Sequence, residues 1–206
     1  MKKYVITMIL ALSVMIVFAG CGDSSKDKGS DKKTEKQTES EELLSGKHNV
    51  EIDIKDYGKI SLELDADTAP ITVTNFVNLA KSGFYDGLTF HRIRDGFMIQ
   101  GGDPEGTGTG GSDKEIKGEF SKNGVENNIS HERGVISMAR AMDMDSASSQ
   151  FFIVQTDSTY LDGSYAAFGH VTEGMEVVDK ICKEVPSSDL VDKDKQPVIT
   201  SIKVTD

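Results

Sequence analysis

Residues 90–103, FHRIRDGFMIQGGD, set His91, Arg92, Arg94 and the amide of Gln100 among apolar side chains and then run into glycines. Arginine stays charged at physiological pH and presents five N–H donors in a planar fork, while glutamine both donates and accepts. The stretch holds no serine or cysteine, and Ser137, Ser148 and Ser149 elsewhere lack a G-x-S-x-G setting, so attack by a side-chain nucleophile has no local support. What remains is non-covalent chemistry by a fixed positive donor and an amide beside an apolar surface. Two plainer readings compete. Arg92 could serve only as a surface ion pair with Asp95 or another carboxylate, and Phe97, Met98 and Phe152 could be ordinary core.

Other constellations offer less. GTGTGG at 106–111 satisfies G-x-G-x-x-G in form, but the following SDKEIKGEF lacks the apolar period of a dinucleotide-binding helix, so it reads as a loop. His48, His91, His131 and His170 contain no close pair, and DMDS at 143–146 lacks the glycine and terminal glutamate of a calcium loop. No metal and no cofactor is expected.

The elements must bring the chemistry together. Strand side chains alternate with period two, so Arg92 shares one face of its strand, Met98 and Gln100 share a face of the next, and Gln150 pairs likewise with Phe152. The same alternation sets His91 on the side opposite Arg92. NVEIDI and KISLEL alternate around Asp56-Tyr57-Gly58 and predict a hairpin. Further strand-like runs lie at 88–93, 97–101, 135–139, 151–155, 166–171 and 198–204. One helix is predicted in TAPITVTNFVNLAKSG, with Thr68 as cap, Pro70 in the first turn, Val73, Phe76, Val77 and Ala80 on one face and Gly83 as stop. A second covers 175–185, where Val178, Ile181, Cys182 and Val185 recur at helical spacing, which marks Cys182 as a buried structural thiol. Eight short strands and two helices predict a mainly β fold, an eight-stranded antiparallel β-barrel capped by two α-helices.

The chain has 206 residues, 37% of them hydrophobic, enough for one core plus extras. A net charge of −11 argues against nucleic-acid binding, which needs clustered Lys and Arg. At the N-terminus, Lys2 and Lys3 precede an apolar run that ends in small residues, so 1–20 reads as an export signal, too short for a permanent membrane span. FAGC at 18–21 resembles the lipobox of bacterial lipoproteins, with Phe18 where leucine is usual, and implies lipidation of Cys21. The alternative is ordinary cleavage with Cys21 a bystander. Residues 21–47 are polar, of mixed charge and nearly free of large apolar side chains, and so read as a flexible linker with a reach of roughly 25–30 Å. The folded domain is expected over 48–206. With Cys21 lipidated, Cys182 would be the only remaining thiol, and the fold must hold without a disulfide.

FHRIRDGFMIQGGD, GVISMARA, SSQFFIV and YLDGSYAAFG, in this order, resemble the signature blocks of the cyclophilin family, and the likeness spans 48–206. The resemblance implies a barrel that catalyses cis/trans isomerisation of peptide bonds before proline. It implies Arg92 as the catalytic residue and Phe97, Met98, Phe152 and Leu161 as walls of a proline pocket. Gln100 and the backbone at Arg140 would hold the substrate main chain, with Ala139, Ala141 and Gln150 completing the groove. Tyr165 stands in that groove where histidine is often found. His91 matches the histidine before the arginine, in a supporting role, and Gly108 falls in the groove-edge loop. Tyr160 replaces a common tryptophan that helps hold cyclosporin.

The residue types suit that reaction. Rotation about an X–Pro bond must break amide resonance across a barrier of about 18–20 kcal/mol, and it needs neither proton transfer nor a covalent intermediate. The resulting expectation is a monomeric, lipid-anchored isomerase on the extracytoplasmic side of the cell membrane. It would act on proline-containing segments of unfolded or partly folded exported proteins. A rival is a peptide-binding holdase that uses the same groove. A solute-capturing lipoprotein suits the anchor but not a small single barrel.

Overall fold

The computed structural model describes residues 42–206, so the signal, Cys21 and the linker through residue 41 lie outside the described residues. β1 (Lys47–Ile54) and β2 (Gly58–Asp65) form the expected hairpin, with Val50 opposite Leu62 and Ile52 opposite Ile60, all buried. The fold begins slightly upstream of the boundary read from composition. Leu44 donates its N–H to Thr74 Oγ1 at 2.9 Å and packs on the core, because one apolar side chain suffices to dock a short polar segment.

α1 (Pro70–Lys81) buries Val73, Phe76, Val77 and Ala80 as its spacing predicts. Its cap differs from the expectation. Thr68 turns its hydroxyl to Asp65 Oδ2 (2.9 Å), and the free N–H groups of Ile71 and Thr72 instead donate to the buried carboxylate of Glu119, at 3.0 and 2.8 Å. A carboxylate there satisfies two orphan donors and complements the helix dipole at once.

The remaining strands are β3 (Thr89–Arg94), β4 (Met98–Asp103), β5 (Val135–Met138), β6 (Phe151–Val154), β7 (Ala167–Glu173) and β8 (Ile199–Val204). They form one sheet in the order β3-β4-β6-β5-β7-β2-β1-β8, all pairs antiparallel. The sheet curls until its ends touch: Thr89 bridges Val198, and Phe90 and Ile199 donate to Pro197 O and Leu88 O at 2.9 and 2.7 Å. α2 (Met175–Glu184) buries Val177, Val178, Ile181 and Cys182. Burial pushes the Cys182 thiol up to about 12, so it stays protonated and inert, as a structural thiol should.

The central strands are covered on both faces. Along β6, Phe151 and Ile153 enter the main core while Phe152 and Val154 join a smaller cluster, and all four are buried. The inward side is aromatic, with Phe76 at 5.4 Å from Phe151 and 5.3 Å from Phe168 between ring centroids. On the other side Met98, Val135, Phe152, Val154 and Ala167 cluster, and Phe97, Leu161 and Tyr165 pack against them. That second cluster is the foundation of the site.

Candidate active site

A row of cross-strand neighbours runs over this smaller cluster. Arg92 on β3 stands opposite Gln100 on β4, Gln100 opposite Phe152 on β6, and Phe152 opposite Ser137 on β5. Residues directly opposite on antiparallel strands share a face. Charge, amide and ring therefore converge, and Arg92, Gln100 and Phe152 border a slot of about 140 Å³. Phe97, Met98, Leu161 and Tyr165 supply the rest of its apolar lining. A cavity of roughly 150 Å³ accommodates a benzene-sized ring, so a pyrrolidine ring fits.

The polar groups are wired in one direction. Arg92 Nε donates to Asp189 Oδ1 (2.8 Å) and Nη1 to Gln100 Oε1 (3.2 Å). Gln100 Nε2 donates to Gln150 Oε1 (2.8 Å), and Gln150 Nε2 to Gly110 O (2.8 Å). Nη2 of Arg92 makes no hydrogen bond among the described residues, which leaves it available to a ligand. The ion pair weighed as the plainer reading of Arg92, with Asp95 or another carboxylate, exists with Asp189, and Arg92 nevertheless also lines the slot. Asp95 accepts from Gln155 Nε2 at 3.2 Å.

Ala139 and Arg140 border both the slot and a wider neighbouring cleft of about 460 Å³, which Ala141, Gln150 and Gly108 also line. The Arg140 side chain is committed elsewhere: it donates to Ser164 O from Nη2 at 2.8 Å and lies 4.8 Å over the ring of Tyr165. Residues 106–111 form a loop, as expected, organised by Asp103, whose carboxylate accepts the N–H groups of Glu105, Thr107 and Gly108 at 2.8, 2.9 and 2.6 Å. Burial pushes the Asp103 carboxyl up, and these donors outweigh it and hold it below the usual carboxylate range. A side chain at Gly110 would strike Asp103 Oδ1, which explains a glycine there.

Two site residues sit differently from the simple pattern. The β3–β4 register shifts between Phe90 and Arg92, and both Phe90 and Ile93 enter the core, so the alternation that would set His91 on the face away from Arg92 is interrupted. His91 is buried beside Gly108, and its ring nitrogens have no hydrogen-bond partner among the described residues. Burial lowers its pKa, with Asp103 opposing and Arg92 reinforcing. Tyr160 is 70% exposed, its ring 6.0 Å from Phe97, on the rim rather than in the slot lining.

Sequence reasoning missed Asp189, and it missed His131 and Asp162. Nδ1 of His131 lies 2.8 Å from Asp162 Oδ1 and Nε2 lies 3.0 Å from Ser137 Oγ, an order known from serine hydrolases. Ser137 is fully buried, so no substrate reaches its oxygen. The ring instead stacks on Phe152 at 6.0 Å and 15°. These partners lie 31 and 97 residues apart, beyond the reach of any local motif.

A family model described as cyclophilin type peptidyl-prolyl cis-trans isomerase/CLD matches residues 49–204. A peptidyl-prolyl cis-trans isomerase of Helicobacter pylori is 51% identical over 126 residues, which cover 60% of this chain and 74% of that one. Peptidyl-prolyl cis-trans isomerase B of Bacillus subtilis is 50% identical over 123 residues, covering 60% and 82%. The crystal structure of a Cryptosporidium parvum cyclophilin type isomerase, solved in the presence of the dipeptide Ala-Pro, superposes with a TM-score of 0.68 at 32% identity, covering 77% of this chain and 99% of its own.

Proposed function

This chain belongs to the cyclophilin-type peptidyl-prolyl cis-trans isomerase family, and from that premise we propose that Arg92 is its catalytic residue and that it serves exported polypeptides from a lipid anchor at Cys21. It is an isomerase of peptide bonds before proline, and proline-containing peptides fit it as substrates.

The observation that carries the assignment of Arg92 is its place in the row with Gln100 and Phe152 at the slot's edge. The proline ring enters the slot, and Gln100 and the backbone at Arg140, just past the end of β5, hold the main chain on one side while the other rotates. As the bond twists, the prolyl nitrogen loses conjugation and becomes a better hydrogen-bond acceptor than in either planar form. The unbonded Nη2 group of Arg92 donates to it, so the guanidinium binds the twisted state preferentially. An acceleration of about 10⁵ requires about 7 kcal/mol. One hydrogen bond to a charged group gives roughly 1.5–3 kcal/mol, so the apolar slot and the main-chain anchors supply the rest by fixing the reacting geometry and excluding water. That the Cryptosporidium parvum relative was crystallised in the presence of the dipeptide Ala-Pro accords with a proline-containing peptide as ligand.

Export and anchoring rest on the signal-like residues 1–20, on FAGC and on the polar segment that follows. The linker lets a monomeric barrel sample chains emerging on the extracytoplasmic side of the membrane. Mass spectrometry of the mature N-terminus tests this, and an unmodified Cys21 or an uncleaved leader would refute it. For Arg92, the test is proline-limited refolding of a model protein with Arg92→Ala, in which unchanged acceleration would overturn the assignment.

A further inference from the structure

Asp189 sits on the segment between α2 and β8, and the structure stitches that segment to β3 on both sides of it. Ser188 and Ile93 exchange backbone hydrogen bonds at 2.7 and 3.0 Å, and Val191 N–H donates to His91 O at 2.8 Å. Within the segment, Ser188 Oγ donates to Leu190 O at 2.7 Å. The carboxylate is thus delivered to Arg92 by a braced backbone. Its Oδ1 accepts the Nε–H at 2.8 Å, and Arg94 Nε lies 3.5 Å from the same oxygen.

We propose that Asp189 is a positioning residue for isomerisation: by holding the Nε–H of Arg92, it fixes the guanidinium so that its unbonded Nη2 group is presented to the proline slot. The inference rests on Arg92 being the catalytic residue. An unrestrained arginine samples many rotamers, and only some point the fork at the slot. The contact engages Nε alone and leaves Nη2 unbonded, so it orients the group without consuming the donors a substrate needs. The Asp189 side chain is 64% exposed, and exposed pairs contribute little to stability, so its removal leaves the fold intact. Releasing one immobilised side chain corresponds to about a three- to ten-fold effect.

The experiment measures kcat and KM on a proline peptide, with thermal unfolding as control, for Asp189→Ala, Asp189→Asn, Arg92→Ala and the double variant. Asp189→Ala is expected to lower kcat about three- to ten-fold with KM within about two-fold, since restraint of a long side chain is what is lost. Asp189→Asn, which keeps an acceptor oxygen, recovers part of the loss, and Asp189→Ala adds nothing once Arg92 is absent. In the wild type the Arg92 Nε–H gives a protected NMR resonance that Asp189→Ala abolishes. An unchanged or raised kcat in Asp189→Ala, with Arg92→Ala inactive, overturns the inference and leaves Arg92 standing. Activity that survives Arg92→Ala overturns the reading of Arg92 and this inference with it.

Discussion

Asp162 takes the Nδ1–H of His131 at 2.8 Å and thereby decides which nitrogen of a buried ring carries the proton. A carboxylate only accepts, so Nδ1 is the donor, and Nε2 is left to accept the Ser137 hydroxyl at 3.0 Å. The same carboxylate accepts the backbone N–H of His131 at 2.8 Å and the Ser130 hydroxyl at 2.7 Å. Asp162 also closes the 3-10 turn Thr159–Leu161, and the His131 ring stacks on Phe152. Asp162 therefore links two components of the slot lining, Leu161 through its own backbone and Phe152 through the ring that its carboxylate holds.

Asp162→Ala removes that tie. A buried N–H left without its acceptor costs about 1–3 kcal/mol, and in a chain of this size each kcal/mol moves Tm by roughly 2–4 °C. The expected result is a Tm lowered by several degrees and a raised KM for proline peptides. The ¹⁵N shifts of the His131 ring should report a mixture of tautomers. An unchanged KM would mean that the slot does not depend on this contact.

Acid sensitivity follows from the two buried histidines. Burial lowers the pKa of His131 from 6.5, with Asp162 opposing, and burial lowers that of His91, with Asp103 opposing and Arg92 adding. As pH falls below 6.5 the unfolded chain takes up both protons while the folded one resists, so the unfolded state binds more protons and stability declines. Further down, the folded chain keeps Asp103 and Asp162 ionised below 3.8, where the unfolded chain protonates them, which is a second loss of the same sign. Tm should be level down to about pH 7 and then fall toward about pH 5, with His91→Gln flattening part of that first decline. A Tm that rises over this interval would contradict the assignment.

Local rules made the strands and the row legible. Period-two patterns set Ile52, Ile60 and Leu62 inward, and the pairing of Arg92 with Gln100 follows from a short β3–β4 connection. Phe151 and Phe152 were harder, because a strand buried on both faces shows no alternation. What the sequence hid was action at a distance. Asp189, Asp162 and Glu119 are ordinary acidic residues in polar segments until folding sets them 2.8 Å from their partners. The bulge at His91 was likewise invisible, since nothing in FHRIRD marks the extra residue.

The cap of α1 is where local logic and tertiary structure disagree most sharply, and it gives a test of which governs. Thr68 has the residue type of an N-cap but stands one residue before the cap position, which Ala69 holds; its hydroxyl binds Asp65, and Glu119 meets Ile71 N and Thr72 N from 47 residues or more away. Glu119 is nearly fully buried and outside the slot, so its loss strands two donors without touching the site. Glu119→Ala should cost about 1–3 kcal/mol, a Tm decrease of several degrees, with kcat/KM per folded molecule unchanged. Glu119→Gln, which retains one acceptor oxygen, should fall between. Thr68→Ala loses only a partly exposed hydrogen bond and should cost less than either. Calorimetry of the three variants decides it, since a larger penalty at Thr68 than at Glu119 would return the cap to the residue that local propensity favours.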